Sequence, residues 1–531
     1  MIRISQIKLG VDEDGAKLPG KIAKKLKIQT SDVQSYTIYK QSIDARFRGK
    51  IDFVYTVDVK TSLDEGKLLA KKLPDVSLAP DLAYKCPEAG TSPLKNRPVI
   101  IGFGPAGIFA ALILAQAGYK PIVLERGEDV DSRVKSVDKF WNEGILNPES
   151  NALFGEGGAG TFSDGKLTTR VKDLRGRKVL EELVAAGAPE EILYEAHPHV
   201  GTDLLRNVIK RIREKIIALG GEIRFKTQVT DFLTEDGAIK GLKTQTGEVL
   251  KAENIILAVG HSARDVFETL QKREVVLEAK PFAVGVRIEH PQTLIDQDQY
   301  KEFAGHPKLG AASYRLTHKA SSGRGVYTFC MCPGGIVVPS ASESGYLVTN
   351  GMSYHARDGR NANSALIVSV TPEDFGSDSP LAGVEFQKAL EEKAFIMGGG
   401  DYKAPAQRVG DFLNGRHASK MGEIVPSYFL GVKPANLNEL FPAFINDALK
   451  EGLVALDKKL KGFAMDDAVL TGVESRTSSP VRIVRDPQTN ESVSTKGLYP
   501  AGEGSGYAGG IVSAGIDGIK CAEEIIKKWY V

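Results

Sequence analysis

Residues 98–126, PVIIGFGPAGIFAALILAQAGYKPIVLER, constrain the fold more than any other stretch of the chain. An apolar strand over 99–101 runs into a tight turn, a helix over 108–117 and a second apolar strand over 121–124. Gly102, Gly104 and Gly107 have the G-x-G-x-x-G spacing. The first glycine permits the turn, the second close approach of backbone to a pyrophosphate, and the third close packing of helix on strand. Pro105 and Ala106 lie in the turn that leads into the helix, whose free N–H groups and dipole stabilise negative charge. Glu125 ends the second strand, where a carboxylate accepts hydrogen bonds from a ribose diol, and Arg126 follows it. The unit specifies an α/β, Rossmann-type dinucleotide-binding domain and leaves the choice between NAD and FAD open.

Three later segments favour FAD. Residues 152–169, ALFGEGGAGTFSDGKLTT, form a glycine-rich loop suited to wrapping backbone N–H groups around a pyrophosphate or flavin edge. Gly160, Thr161, Lys166 and Leu167 are its candidate contacts. Residues 220–260 read as a β-meander returning to a sheet strand that ends at Gly260. Residues 497–519 read as a strand, a Gly-Glu-Gly turn holding Gly502 and Glu503, a glycine-rich loop and a helix beginning near Gly510 and Ile511.

The flanking regions add domains. Residues 1–90 have a β-α-β-β-α-β order with a turn at 48–50, which matches a ferredoxin-like α+β plait. Residues 82–97, with Pro87, Gly90 and Pro93, have linker composition. The division expected is 1–90, an FAD-binding first part at 97–278, an inserted mixed α+β substrate domain at 279–465, and a C-terminal FAD-binding part at 466–531. A net charge of +2 gives no drive toward nucleic acid or anionic lipid. The longest apolar runs are strand-length, so no membrane segment is expected. Four cysteines, Cys86, Cys330, Cys332 and Cys521, and no export signal point to a reduced, cytoplasmic protein.

SDGKLTTR, CMCPGG, TNGMSYHARDGRNANSAL, TGVESRTSSPVRIVRD and YPAGEGSGYAGGI resemble the bacterial FAD-dependent dehydrogenase family, of the glutathione-reductase class with a single dinucleotide fold. The resemblance implies FAD as cofactor, with Gly102, Gly104 and Gly107 on the pyrophosphate and Glu125 on the adenosine ribose. It further implies backbone contact from Val229 to adenine and binding of the ribityl chain by Glu503.

The insertion reads as strands followed by helices near 384–396 and 437–460, and it shows no second glycine fingerprint after a strand, so no dedicated NAD(P)H domain is expected. A nicotinamide docking transiently over the flavin, or another electron donor, stays open. Candidate catalytic groups are His355 and Arg357 in the polar run 353–363, Arg287 at a strand end with His290, and Arg476 before the last FAD segment. Cys332 stands at the end of TFCMCPGG, where Cys330 and Cys332 read either as redox thiols or as small buried side chains. His261 follows the presumed flavin-binding strand. The absence of cysteine from 127–260 argues against a flavin disulfide reductase, and Val259-Gly260-His261 argues against an aromatic hydroxylase. The reading is an oxidoreductase passing hydride or electrons through flavin N5 to or from a small-molecule substrate. The alternative is a sensor flavoprotein whose plait docks a partner.

Overall fold

The strands Val99–Ile101, Ile122–Leu124, Ile255–Leu257 and Leu498–Pro500 are buried at every residue. With Glu222–Arg224 they form one parallel sheet, in the order 498–500, 255–257, 99–101, 122–124, 222–224. Both faces are covered, which is why these strands are continuously apolar rather than alternating. The two-residue period of a strand still sorts its side chains. Ile100, Val123, Ile256 and Tyr499 face the helices Pro105–Gln116, Thr202–Ala218 and Ile511–Lys528. Val99, Ile101, Leu124, Ile255 and Leu257 face the opposite layer with Val229, Phe232 and Leu242 of the three-stranded meander. The computed structural model describes residues 1–47, 49–417 and 420–531.

Pro105–Gln116 is buried from Ala106 to Ala115 because the sheet covers one side and Ile511–Lys528 the other. Gly518 lets these two helices approach: a Cβ there would stand 2.0 Å from the Ala106 carbonyl oxygen.

A seven-stranded sheet occupies much of the span between the parallel strands. Its order is Thr317–Lys319, Gly325–Cys332, Asn361–Val370, Phe282–Pro291, Val469–Glu474, Ala404–Arg408 and Val432–Pro434. The central pair is antiparallel in unbroken register from Phe282 opposite Val370 to Pro291 opposite Asn361. The N-terminal residues form a four-stranded antiparallel sheet in the order Val33–Phe47, Lys50–Thr61, Ile2–Gly10, Val76–Leu78, with helices Leu18–Leu26 and Glu65–Ala70. Phe47 pairs with Lys50 across the expected turn, of which Arg48 lies outside the described residues.

Four expectations need correction. Arg287 and His290 lie within the continuous strand Phe282–Pro291, not where a strand ends. Asn361 and Asn363 belong to the strand Asn361–Val370 and are buried, not part of a polar loop. Residues 82–97 are not a loose linker. Gly90 donates its N–H to the carbonyls of Ile526 and Trp529, Tyr84 donates to Glu523, and Ser92–Pro93 pairs with Trp529–Tyr530. Proline and glycine report irregular backbone, and irregular backbone still needs hydrogen-bond partners. A helix expected over 437–460 is limited to Ala443–Asp457, because Pro442 stands at its N-cap. Among the described residues no helix is long and apolar enough to cross a membrane.

Gly518→Ala should overpack the contact between two buried helices and destabilise the protein by about 1–3 kcal/mol. Gly20→Ala, in an exposed helix interior with nothing within 4 Å of a Cβ, should stabilise it by about 0.5–1 kcal/mol. Denaturant melts showing the same sign for both would contradict this packing.

Candidate functional site

A cavity of about 380 Å³ opens at the carboxyl ends of the parallel strands, where Ile101, Leu124 and Ala258 reach it. This is where open α/β sheets bind ligands. Thirteen of the residues read from the sequence as cofactor contacts line it: Gly102, Gly104, Pro105, Ala106, Glu125, Arg126, Gly160, Lys166, Val229, Gly260, Glu503, Gly510 and Ile511. Four do not. Gly107 packs beneath the turn, with space for a Cβ only 2.0 Å from the Gly102 carbonyl oxygen. The Thr161 hydroxyl donates to the Glu156 carbonyl, Leu167 is buried in the helical core, and Gly502 gives its N–H to Asp517.

The cradle is assembled around one carboxylate. Glu125 is 5% exposed and accepts the N–H groups of Phe103 (2.8 Å), Gly127 (2.8 Å) and Gly155 (3.0 Å). It thereby ties the glycine turn and the 152–169 loop to the end of its own strand. The loop is also held by Arg133, fully buried, which donates to the carbonyls of Asn151, Gly155 and Glu156. Gly104 and Gly158 meet face to face, and a Cβ on Gly158 would lie 3.0 Å from the Gly104 Cα. The helix beginning at Pro105 has no side-chain cap, so its first N–H groups open into the cavity. Glu503 accepts the Ser479 N–H with one carboxylate oxygen at 2.9 Å and faces the cavity. Burial raises its pKa. Bare glycine backbone, an uncapped helix start and two carboxylates fit the pyrophosphate and hydroxyl groups of a flavin dinucleotide.

The cavity continues to Lys166, Cys330, Asn350, Glu474, Arg476 and Thr477. Glu474 is buried, and burial lifts its carboxyl to about 7, opposed by Arg287, whose Nε lies 3.4 Å away. Arg476 pairs with Glu391 through Nε and Nη2 at 2.9 and 2.8 Å and donates to Ser342. Arg264 binds the same carboxylate at 2.8 and 3.0 Å. His261 also lines the cavity, and burial, with the Arg476 and Arg264 charges, brings it down to about 3, so it is neutral at physiological pH.

The remaining catalytic candidates do not line the cavity. Arg287 is fully buried and donates to the Cys330 carbonyl. Cys332 is buried behind Cys330, which does reach the cavity. His355 stacks on His199 with ring centroids 5.2 Å apart. Arg357 is paired with Asp164, a cavity residue, at 3.0 Å. Sequence reasoning missed Glu474, Asn350 and Asp164. Glu474 had one signal: it ends the apolar run VLTGVE, and a carboxylate closing a buried strand stands where strand meets site.

Glu125→Ala would strand three backbone donors, each about 1–3 kcal/mol when buried and unsatisfied. It should lower the unfolding midpoint of the cofactor-free protein as well as flavin affinity. Loss of affinity with unchanged apo-protein stability would show that Glu125 acts on ligand alone.

Residues 281–477 match the family described as FAD-dependent protein, C-terminal domain-like, and residues 1–60 match Domain of unknown function (DUF8436). Among solved structures, glycine oxidase from Geobacillus kaustophilus is similar at 12% identity and TM-score 0.37, over 82% of this chain and 95% of that one. The halogenase PltM is similar at 11% identity and TM-score 0.36, over 81% of this chain and 68% of that one. Both likenesses are too distant to bear on its chemistry. A protein of Clostridium beijerinckii, recorded as an uncharacterized protein, is 53% identical over 529 residues, 99% of each chain. The chain belongs to the same family as this clostridial protein, carries the FAD-dependent C-terminal-like domain, and has FAD as its cofactor.

Proposed function

We propose that this protein is an FAD-dependent oxidoreductase, a dehydrogenase or reductase of the glutathione-reductase class with a single dinucleotide-binding fold. Bound FAD supplies two-electron transfer at N5. In this reading residues 1–90 are a ferredoxin-like plait, and the inserted domain at 279–465 forms the pocket for a small-molecule substrate. The single observation that carries it is the continuity of one cavity from the glycine cradle to Glu474, Arg476 and Cys330. A binding protein needs the cradle; the far end adds groups that hold or move protons.

Gly102, Gly104, Pro105, Ala106 and Gly160 would hold the pyrophosphate. Glu125, Arg126 and Val229 would hold the adenosine, and Glu503, Gly510 and Ile511 the ribityl and flavin side. Glu474, poised near 7, would accept or deliver the substrate proton. Arg476, already neutralised by Glu391, orients rather than attracts. Arg357 acts on the site only through Asp164, which Lys166 and Arg357 hold ionised, while His355 packs on His199 and bonds the Val200 carbonyl. A nicotinamide or another small reductant would enter by the same cavity.

The purified protein should be yellow and release FAD on denaturation; FMN alone or no flavin would refute the reading. Glu474→Gln supplies a second test. A buried carboxyl whose folded pKa lies above its unfolded value stabilises most below the unfolded pKa and loses that contribution as pH rises through the folded value. Between pH 5 and 8, wild-type stability should therefore fall relative to Glu474→Gln, and flavin reduction by a working donor should lose its inflection near pH 7 in the variant. Parallel stability curves and an unchanged rate profile would remove Glu474 from the proton path.

A further inference from the structure

The strand Gly325–Cys332 shifts register against Asn361–Val370 between Phe329 and Cys332. Cys330, at the shift, has φ +46°, a left-handed conformation that a side chain larger than glycine adopts only under constraint. In a regular strand, residues two apart sit about 6.6 Å from one another on one face. The bulge turns the chain so that the Cys332 Sγ lies 3.3 Å from the Cys330 carbonyl oxygen, to which it donates, and the two cysteines fold against each other instead of being spaced out along a strand.

The surroundings over-determine this bend. Arg287 donates to the Cys330 carbonyl from Nη1 and Nη2 at 3.1 and 3.3 Å, and Nη2 stands 3.9 Å from the Cys332 Sγ. Lys166 donates to the Met331 carbonyl and pairs with Asp164 at 3.1 Å. Cys330 reaches the FAD cavity, while Cys332 is wholly buried behind it. The Cys332 thiol, with Lys166 and Arg287, holds Cys330 down at about 5, and the same contact with burial pushes Cys332 up. Both shifts favour a thiolate at Cys330, on the cavity side, with the proton kept on Cys332.

We propose that Cys330 and Cys332 are a dithiol/disulfide couple that exchanges two electrons with FAD. The inference rests on the FAD cradle described above and adds a second redox centre to it. In the oxidising direction one S–S bond forms between the two sulfurs and the Cys332 S–H bond breaks. Two electrons and that one proton pass to FAD, giving its reduced monoanion. The reverse uses the same stoichiometry, so no further oxidant or reductant enters the step. Lys166 and Arg287 are positioning residues: they stabilise the Cys330 thiolate and fix the bend.

The holoprotein tests this directly. The chain has four cysteines, so reduced, FAD-loaded protein left to reoxidise in air should retain two free thiols, Cys86 and Cys521. The peptide spanning 330–332 should lack two hydrogens by mass. An anaerobic dithionite titration should consume twice the electrons per FAD in wild type as in Cys330→Ser, and wild type alone should show a long-wavelength thiolate–flavin charge-transfer band on the way. Cys330→Ser, on the half-exposed cavity side, is the main variant; Cys332→Ser should behave alike where it folds. Four free thiols in yellow, reoxidised protein, or equal electron uptake by wild type and Cys330→Ser, would overturn the couple while leaving the FAD site intact. Protein that takes up no FAD would overturn both.

Discussion

Everything at the cofactor site depends on the carboxylate of Glu125 being satisfied by backbone. Three N–H groups from three segments, at Phe103, Gly127 and Gly155, converge on its two oxygens. The glycine turn is short and is anchored by one large side chain, the buried Phe103. The loop at 152–169 is long, and several of its glycines adopt positive φ. A buried, charge-accepting group at the end of a rigid strand gives both a fixed reference, and charge-assisted hydrogen bonds are about twice as strong as neutral ones. The same carboxylate lines the cavity, so the residue that shapes the cradle is also exposed to its ligand.

The electrostatics at the far end follow a different rule. Arg264 and Arg476 share Glu391, itself fully buried, with Glu343 at the rim. Such clusters give little net stability, because desolvating the charges offsets most of their attraction, yet removing one member leaves an unpaired buried charge. The arrangement therefore fixes geometry rather than adding stability. Burial, together with these two cations, also keeps His261 neutral. A neutral imidazole beside a flavin site accepts or donates one hydrogen bond without adding charge.

How much was legible in the sequence divides along physical lines. The β-α-β unit was legible because each of its glycines has a steric reason and its strands are too short and apolar to be anything but buried. The C-terminal segment was legible for the same reason: Glu503 and Gly510 stand where a turn enters a helix. The central sheet was harder. Arg287, Glu289, His290 and Asn363 lie in strands buried on both faces, where the alternation that normally marks a strand is absent and polar residues read as loop. What places them inside is tertiary pairing, such as Asn361 donating to Glu289 and His290 paired with the Phe463 carbonyl across 173 residues. Asn350 was invisible, and Glu474 showed only as the carboxylate closing an apolar run, because a lone polar residue gains meaning only when a distant strand brings it to the cavity.

The strand order has a consequence for how the protein is made. Val99–Ile101 and Leu498–Pro500 both flank Ile255–Leu257 in one sheet, and the helix that covers the glycine turn is the last in the chain. A ribosome must add some four hundred residues between the first of these strands and the last, which at ordinary elongation rates takes roughly 20–80 s. Throughout that interval the Pro105–Gln116 helix, apolar on every side, lacks the partner that covers it. The cradle therefore cannot close until residues 498–528 have been made, and until then the nascent chain carries an exposed greasy helix and an unpaired strand edge.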